Sequence, residues 1–78
     1  MNLIKFYSDS CAPCKLLSEA LEDLGVEHTS VNIREDFDIA LNHQVRSVPV
    51  LLDTDSGERF IGHSSKPKLE AWIDSIKD

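Results

Sequence analysis

The stretch Phe6-Tyr7-Ser8-Asp9-Ser10-Cys11-Ala12-Pro13-Cys14-Lys15 joins an apolar, aromatic run to the first turn of a helical pattern, and it holds both cysteines of the chain. Behind it, residues 2–8 are rich in apolar, aromatic and β-branched types and predict a strand. Ahead of it, Leu17, Ala20, Leu21 and Leu24 recur at three- and four-residue spacing, which predicts a helix over 12–24. Gly25 stands where a helix C-cap belongs, and Pro13 is tolerated because it falls in the first turn. The cysteine pair therefore occupies a strand-to-helix junction. A bond between Cys11 and Cys14 closes a loop so small that chain entropy gives it only about 2 kcal/mol before strain is subtracted. A structural staple joins distant segments, so this pair is poorly placed to be one. Near a strand-helix-strand pattern, a CxxC pair reads as a redox motif.

Working outward, residues 27–33 alternate, with Thr29, Val31 and Ile33 on one face, and predict a second strand. Asp36 to Gln44 predicts a short helix with Phe37, Ala40 and Leu41 inward. Pro49 to Asp53 predicts a strand, and Arg59 to Gly62 its hairpin partner across the turn residues 53–57. Ser64 or Ser65 caps a last helix, with Pro67 in its first turn and Leu69, Trp72, Ile73 and Ile76 as its apolar stripe. The order β-α-β-α-β-β-α implies one parallel crossover followed by antiparallel pairing. The expected fold is α/β, a four-stranded mixed sheet flanked by three helices, forming a single domain over residues 1–78.

The 78 residues are 41% hydrophobic and 28% charged, a globular composition. The net charge of −6 argues against a nucleic-acid or anionic-membrane surface, which would need a basic patch. That charge is uneven. Residues 1–20 are neutral, whereas residues 21–58 carry nine acids against two arginines. The charge thus sits away from the thiols and reads as a solubilising face. No run approaches the roughly 20 apolar residues of a membrane span. The first residues lack a basic segment leading into an apolar one, so a cytosolic location is expected.

A dithiol works when one thiolate attacks a target disulfide and a second thiol resolves the mixed disulfide. Cys11, at the start of the helix, meets free backbone N–H groups and the positive end of the helix dipole, both of which favour a thiolate. Cys14, one turn in, is more shielded. Cys11 is therefore read as the nucleophile and Cys14 as the resolving thiol. Pro13 removes one N–H and stiffens the turn between them. A structural zinc site needs four ligands, and His28, His43 and His63 supply no finger-like spacing, so no metal is expected. Val48-Pro49 precedes a strand, where proline is acceptable, and local sequence leaves the trans isomer as the default.

The Phe6–Lys15 stretch resembles the active-site segment of the thioredoxin family, in which an aromatic strand end leads into Cys-Gly-Pro-Cys-Lys. Val45-Arg46-Ser47-Val48-Pro49-Val50-Leu51 is similar to that family's later Pro-strand segment, and Gly62 to Asp74 to its last helix. The resemblance spans nearly the whole chain. It implies thiol–disulfide exchange at Cys11 and Cys14, supported by Ala12, Pro13, Lys15 and a cis Pro49 facing the pair. It also implies that the backbone of Val48 pairs with a bound substrate strand, with Gly62 leaving room beside it; Ser65, at the N-cap of the last helix, is a further substrate-binding candidate. No cofactor beyond the Cys11-Cys14 redox-active disulfide is implied.

Three positions depart from the pattern. Lys5 stands where thioredoxins carry a buried acid, Ser10 where they carry Trp, and Ala12 where they carry Gly. The chain begins directly at the redox strand, as glutaredoxins do, yet residues 7–10 lack the base that glutaredoxins offer a glutathione carboxylate. Expected partners are protein disulfides, with ribonucleotide reductase as one client, and a thioredoxin reductase as electron donor; the protein is expected to be a monomer. The alternatives are a glutathione-dependent glutaredoxin, with Ser65 and Lys66 holding a carboxylate, and a thioredoxin-fold binding module without redox chemistry.

Overall fold

The computed structural model describes residues 1–62 and 65–77. The elements follow the expected order: β1 (Leu3–Tyr7), α1 (Ala12–Leu24), β2 (Thr29–Asn32), α2 (Phe37–Asn42), β3 (Val50–Asp53), β4 (Arg59–Ile61) and α3 (Lys66–Ile76). The four strands form one sheet in the order β2-β1-β3-β4. β1 runs parallel to β2, pairing Phe6 with Val31, and antiparallel to β3, pairing Phe6 with Val50. β4 closes the sheet antiparallel to β3, with Leu51 opposite Phe60.

Alternation along the strands divides the core in two. Leu3 and Leu51 point to one face, where Leu17 and Leu21 of α1 and Leu69 and Ile73 of α3 cover them. Phe6, Val31, Val50 and Leu52 point to the other, where Ala40 of α2 and Val45 cover them. α1 ends as its sequence predicts. Gly25 adopts φ +65°, a left-handed turn that costs a residue without Cβ least, and its N–H caps the carbonyl of Glu22. The helix that carries the cysteines is thus fixed at its far end by a cap and along its inner side by leucines.

Two expectations need correction. Phe37 and Leu41 do not face inward: they are 67% and 68% exposed, and only Ala40 of α2 is buried. α2 has six residues, under two turns, so it presents one small contact point to the sheet rather than a stripe. The second strand is also shorter than residues 27–33. It spans Thr29–Asn32 at a sheet edge, where Thr29 is exposed and Val31 and Asn32 are buried.

At the opposite end of the sheet from the cysteines, Asp53 is buried at the end of β3. Its carboxylate accepts from the Ser56 hydroxyl at 2.7 Å and from the backbone N–H groups of Asn2 and Asp55 at 3.1 and 3.3 Å. Those bonds, the Ser56 hydroxyl first, hold its pKa below the ordinary carboxylate value against the opposing effect of burial. The turn that begins β4 is therefore tied to the first residues of the chain.

Candidate active site

β1 delivers the chain to the cysteines, and α1 begins at them. Cys11 is the N-cap residue of α1, in extended conformation, and its Sγ accepts the backbone N–H of Cys14 at 3.1 Å. A cap of this kind satisfies one of the donors that every helix start leaves free. Here the acceptor is the sulfur itself, so negative charge on Cys11 meets an N–H already aimed at it. Cys11 and Cys14 are joined by a disulfide with their Cα atoms 5.2 Å apart. Cys11 is partly exposed, while Cys14 is only 3% exposed. The two sulfurs thus differ in access as well as in hydrogen bonding.

Ala12 and Pro13 occupy the first turn of α1 and are exposed, as is Ser10 before them. The surface around Cys11 therefore carries no charge on these three side chains. Lys15 is exposed one residue beyond Cys14, and its N–H donates to the carbonyl of Cys11. The loop between β1 and α1 is anchored by Asn32, a buried residue at the end of β2. Its side-chain amide donates to Asp9 at 3.3 Å, and its carbonyl accepts the N–H of Arg34 at 2.9 Å.

The Val48–Pro49 peptide bond is cis. Pro49 is buried and enters β3 at the end of the sheet where β1 leaves it, since Phe6 faces Val50. The Pro49 carbonyl accepts the N–H of Gly62 at 3.0 Å, which brings these two positions together. Gly62 has φ +75°, and a Cβ placed there would meet nothing within 4 Å, so the space beside it is open. Val48 is partly buried against the cluster under α2. Ser65 stands at the N-cap of α3, exposed, and its hydroxyl makes no capping bond. Ser64, the other candidate cap, lies outside the described residues, as does His63. His43 ends α2 with its ring 5.9 Å from that of Phe6, and His28 bonds the carbonyl of Val26.

The sequence singles out Lys5 as a departure but does not show its link to Cys14. Lys5 of β1 lies under α1, and its Nζ donates to the Ser18 hydroxyl at 2.6 Å. That hydroxyl in turn donates to the carbonyl of Cys14 at 3.0 Å. Two signals were available. Alternation from Leu3 places Lys5 on the core face, and Ser18 is four residues after Cys14, the spacing at which a helical serine reaches back to a carbonyl.

The model of the thioredoxin family matches residues 1–75. Among curated proteins, the chain is 32% identical to Thioredoxin C-2 of Corynebacterium nephridii over 92% of its own length and 75% of that protein. It is 36% identical to the SPbeta prophage-derived thioredoxin-like protein YosR of Bacillus subtilis over 74% of each. It spans about half of some longer relatives, such as bovine mitochondrial thioredoxin, of which it covers 50%. Among solved structures, a mutant thioredoxin from Halobacterium salinarum superposes with a TM-score of 0.84 at 28% identity, covering 97% of this chain and 74% of that one. Protein XcR50 from X. campestris superposes at 0.75 with 31% identity, covering 95% and 97% respectively.

Proposed function

The chain belongs to the thioredoxin family, whose thiol–disulfide oxidoreductase chemistry its Cys11-Cys14 pair carries, and we propose that it acts as a reductase of protein disulfides with Cys11 attacking and Cys14 resolving. One observation carries this assignment of roles. Cys11 is the partly exposed N-cap of α1 with an N–H directed at its sulfur, whereas Cys14 is buried behind it. An attacking sulfur must reach a substrate and must hold charge, and only Cys11 does both.

The reaction starts from the reduced pair. The Cys11 thiolate attacks one sulfur of a substrate disulfide. The substrate S–S bond breaks, and its electron pair leaves on the second substrate sulfur, which takes a proton. Cys14 then loses its proton and attacks Cys11 Sγ. The Cys11–Cys14 bond forms, and the first substrate sulfur, the one Cys11 had attacked, departs as a thiolate. Two electrons have passed to the substrate, and the protein is left in the disulfide form described above. The uncharged surface of Ser10, Ala12 and Pro13 supports contact with a polypeptide around a disulfide. The open space at Gly62, bonded to Pro49, supports an extended substrate segment lying beside Val48.

A thioredoxin reductase is the electron donor in this reading, ribonucleotide reductase is one client, and the cytosol is the compartment. The absence of a base in residues 7–10 supports a flavoenzyme donor over glutathione. Among the described residues, no helix is long and apolar enough to cross a membrane.

Insulin reduction with NADPH and thioredoxin reductase tests the reading. The unsubstituted protein should turn over, Cys11→Ser should abolish reduction, and Cys14→Ser should accumulate a mixed disulfide. Equal rates for Cys11→Ser and unsubstituted protein would refute the assignment. Recycling by glutathione and its reductase alone would replace the proposed donor.

A further inference from the structure

Lys5 is a cation placed among core residues beside the less accessible cysteine. It sits in β1 between Ser30 of β2 and Leu51 of β3, and it is 8% exposed. Its Nζ is held by the Ser18 hydroxyl and lies 5.3 Å from the centre of the Tyr7 ring. Lys5, Tyr7, Asp9, Cys14, Lys15 and Ser18 line one cavity of about 220 Å³. Among the described residues no carboxylate forms an ion pair with Lys5. An ammonium removed from water without an anion is unfavourable, and burial lowers the pKa of Lys5 against the opposing field of Glu22. In the disulfide form, no carboxylate among the described residues pairs directly with this cation. A Cys14 thiolate would give it a negative partner.

We propose that Lys5 is a positioning residue for the resolving step, its ammonium anchored by Ser18 and serving as the counter-charge of the Cys14 thiolate across the shared cavity. The proposal rests on Cys14 being the resolving thiol. In the mixed disulfide, the Cys14 thiol gives its proton to solvent, and the resulting thiolate is stabilised by Lys5. The thiolate attacks Cys11 Sγ and forms the Cys11–Cys14 bond. The bond from Cys11 to the substrate breaks, and its electron pair leaves on the substrate sulfur, which is protonated from solvent. Lys5 keeps its proton throughout and works through sign rather than basicity.

The surrounding charges are few. Asp9 and Lys15 line the cavity with opposite signs, Glu22 acts on Lys5 from α1, and Tyr7 offers its ring. On the neighbouring strands, Ser30 and Leu51 add no charge. Of the two lysines that line the cavity, Lys5 is the buried one and Lys15 is exposed.

The test is a titration of the Cys14 thiolate by ultraviolet absorbance in Cys11→Ser protein, with and without Lys5→Met. Removing the charge should raise the Cys14 pKa by about one unit or more, roughly a tenfold loss of thiolate below that pH. Lys5→Arg should keep the pKa low. In protein that retains Cys11, Lys5→Met should slow resolution of a mixed disulfide about tenfold near neutral pH. The difference should close at alkaline pH, where Lys5 itself loses its proton. Lys5→Gln keeps a donor for Ser18 without the charge, and it serves if Lys5→Met does not fold. An unchanged Cys14 pKa in Lys5→Met, or a pKa in Lys5→Gln equal to that with Lys5, overturns the proposal. The assignment beneath it fails separately, if Cys14→Ser protein releases bound substrate as fast as unsubstituted protein.

Discussion

Replacing Leu21 with alanine is predicted to cost about 3 kcal/mol of folding stability while leaving the thiols in place. Leu21 is 0% exposed and belongs to the cluster formed with Leu3, Leu17, Leu51, Leu69 and Ile73. The substitution removes three carbons, worth about 0.8 kcal/mol each in transfer free energy. The cavity left behind adds to that, and comparable buried sites lose roughly 2.7–5.0 kcal/mol. For 78 residues, total stability is roughly 4–12 kcal/mol, so the loss is a large share. Each kcal/mol corresponds to about 4–8 °C in Tm for a domain of this size. The control is Leu41→Ala, the same chemical change on α2, where the side chain is 68% exposed. It should stay within about 0.5 kcal/mol of the parent. Urea melts followed by circular dichroism give both values, and insulin reduction at low temperature reports the site. Equal losses at the two leucines would mean that α2 is buried in solution and that the division of the core described above is wrong.

Two further predictions concern polar anchors. Asn32→Ala should cost about 1–3 kcal/mol, because it strips a buried partner from Asp9 and from the N–H of Arg34; faster amide hydrogen exchange in residues 8–10 would accompany it, and unchanged exchange there would show that Asn32 does not hold the active-site loop. The hydrogen bonds of Asp53 hold its folded pKa below the ordinary carboxylate value of 3.8. Its contribution is therefore present above that value and is lost as pH falls through the lower folded pKa. The urea midpoint of the parent should drop between about pH 5 and pH 2, and that of Asp53→Asn should start lower and change less over the same range; parallel curves would refute it.

Much of this molecule was legible where one physical rule governs a long segment. α1 spans Ala12–Leu24, as its leucine spacing and Gly25 indicate, because thirteen residues give the apolar period time to repeat. The cysteine pair was legible for a different reason: the chemistry depends on a local spacing and on a helix start, and both are written in adjacent residues. α2 was misread because Phe37, Ala40 and Leu41 match a helical stripe, yet a helix of six residues rests on the sheet through Ala40 alone. Asn32 was hidden because it is buried by tertiary placement, at the end of an edge strand against the Asp9 loop. The isomer of Val48–Pro49 came from resemblance rather than from local pattern, since both isomers fit a proline before a strand. Lys5 was noticed as a departure, but its link through Ser18 to Cys14 needed the packing of β1 under α1.

The division of the core into two apolar clusters has a consequence for how such a protein can diversify. The cluster under α1 and α3 supports the helix that starts at Cys11, so the redox centre is carried by the element this cluster packs. The cluster under α2 is a separate packing unit, capped by a helix whose large side chains Phe37 and Leu41 already point outward. That outer face lies on the opposite side of the sheet from the helix that carries the sulfurs. The same electron-transfer centre can therefore be carried beneath different recognition surfaces, and a designer could graft new contacts onto α2 without retuning the thiols.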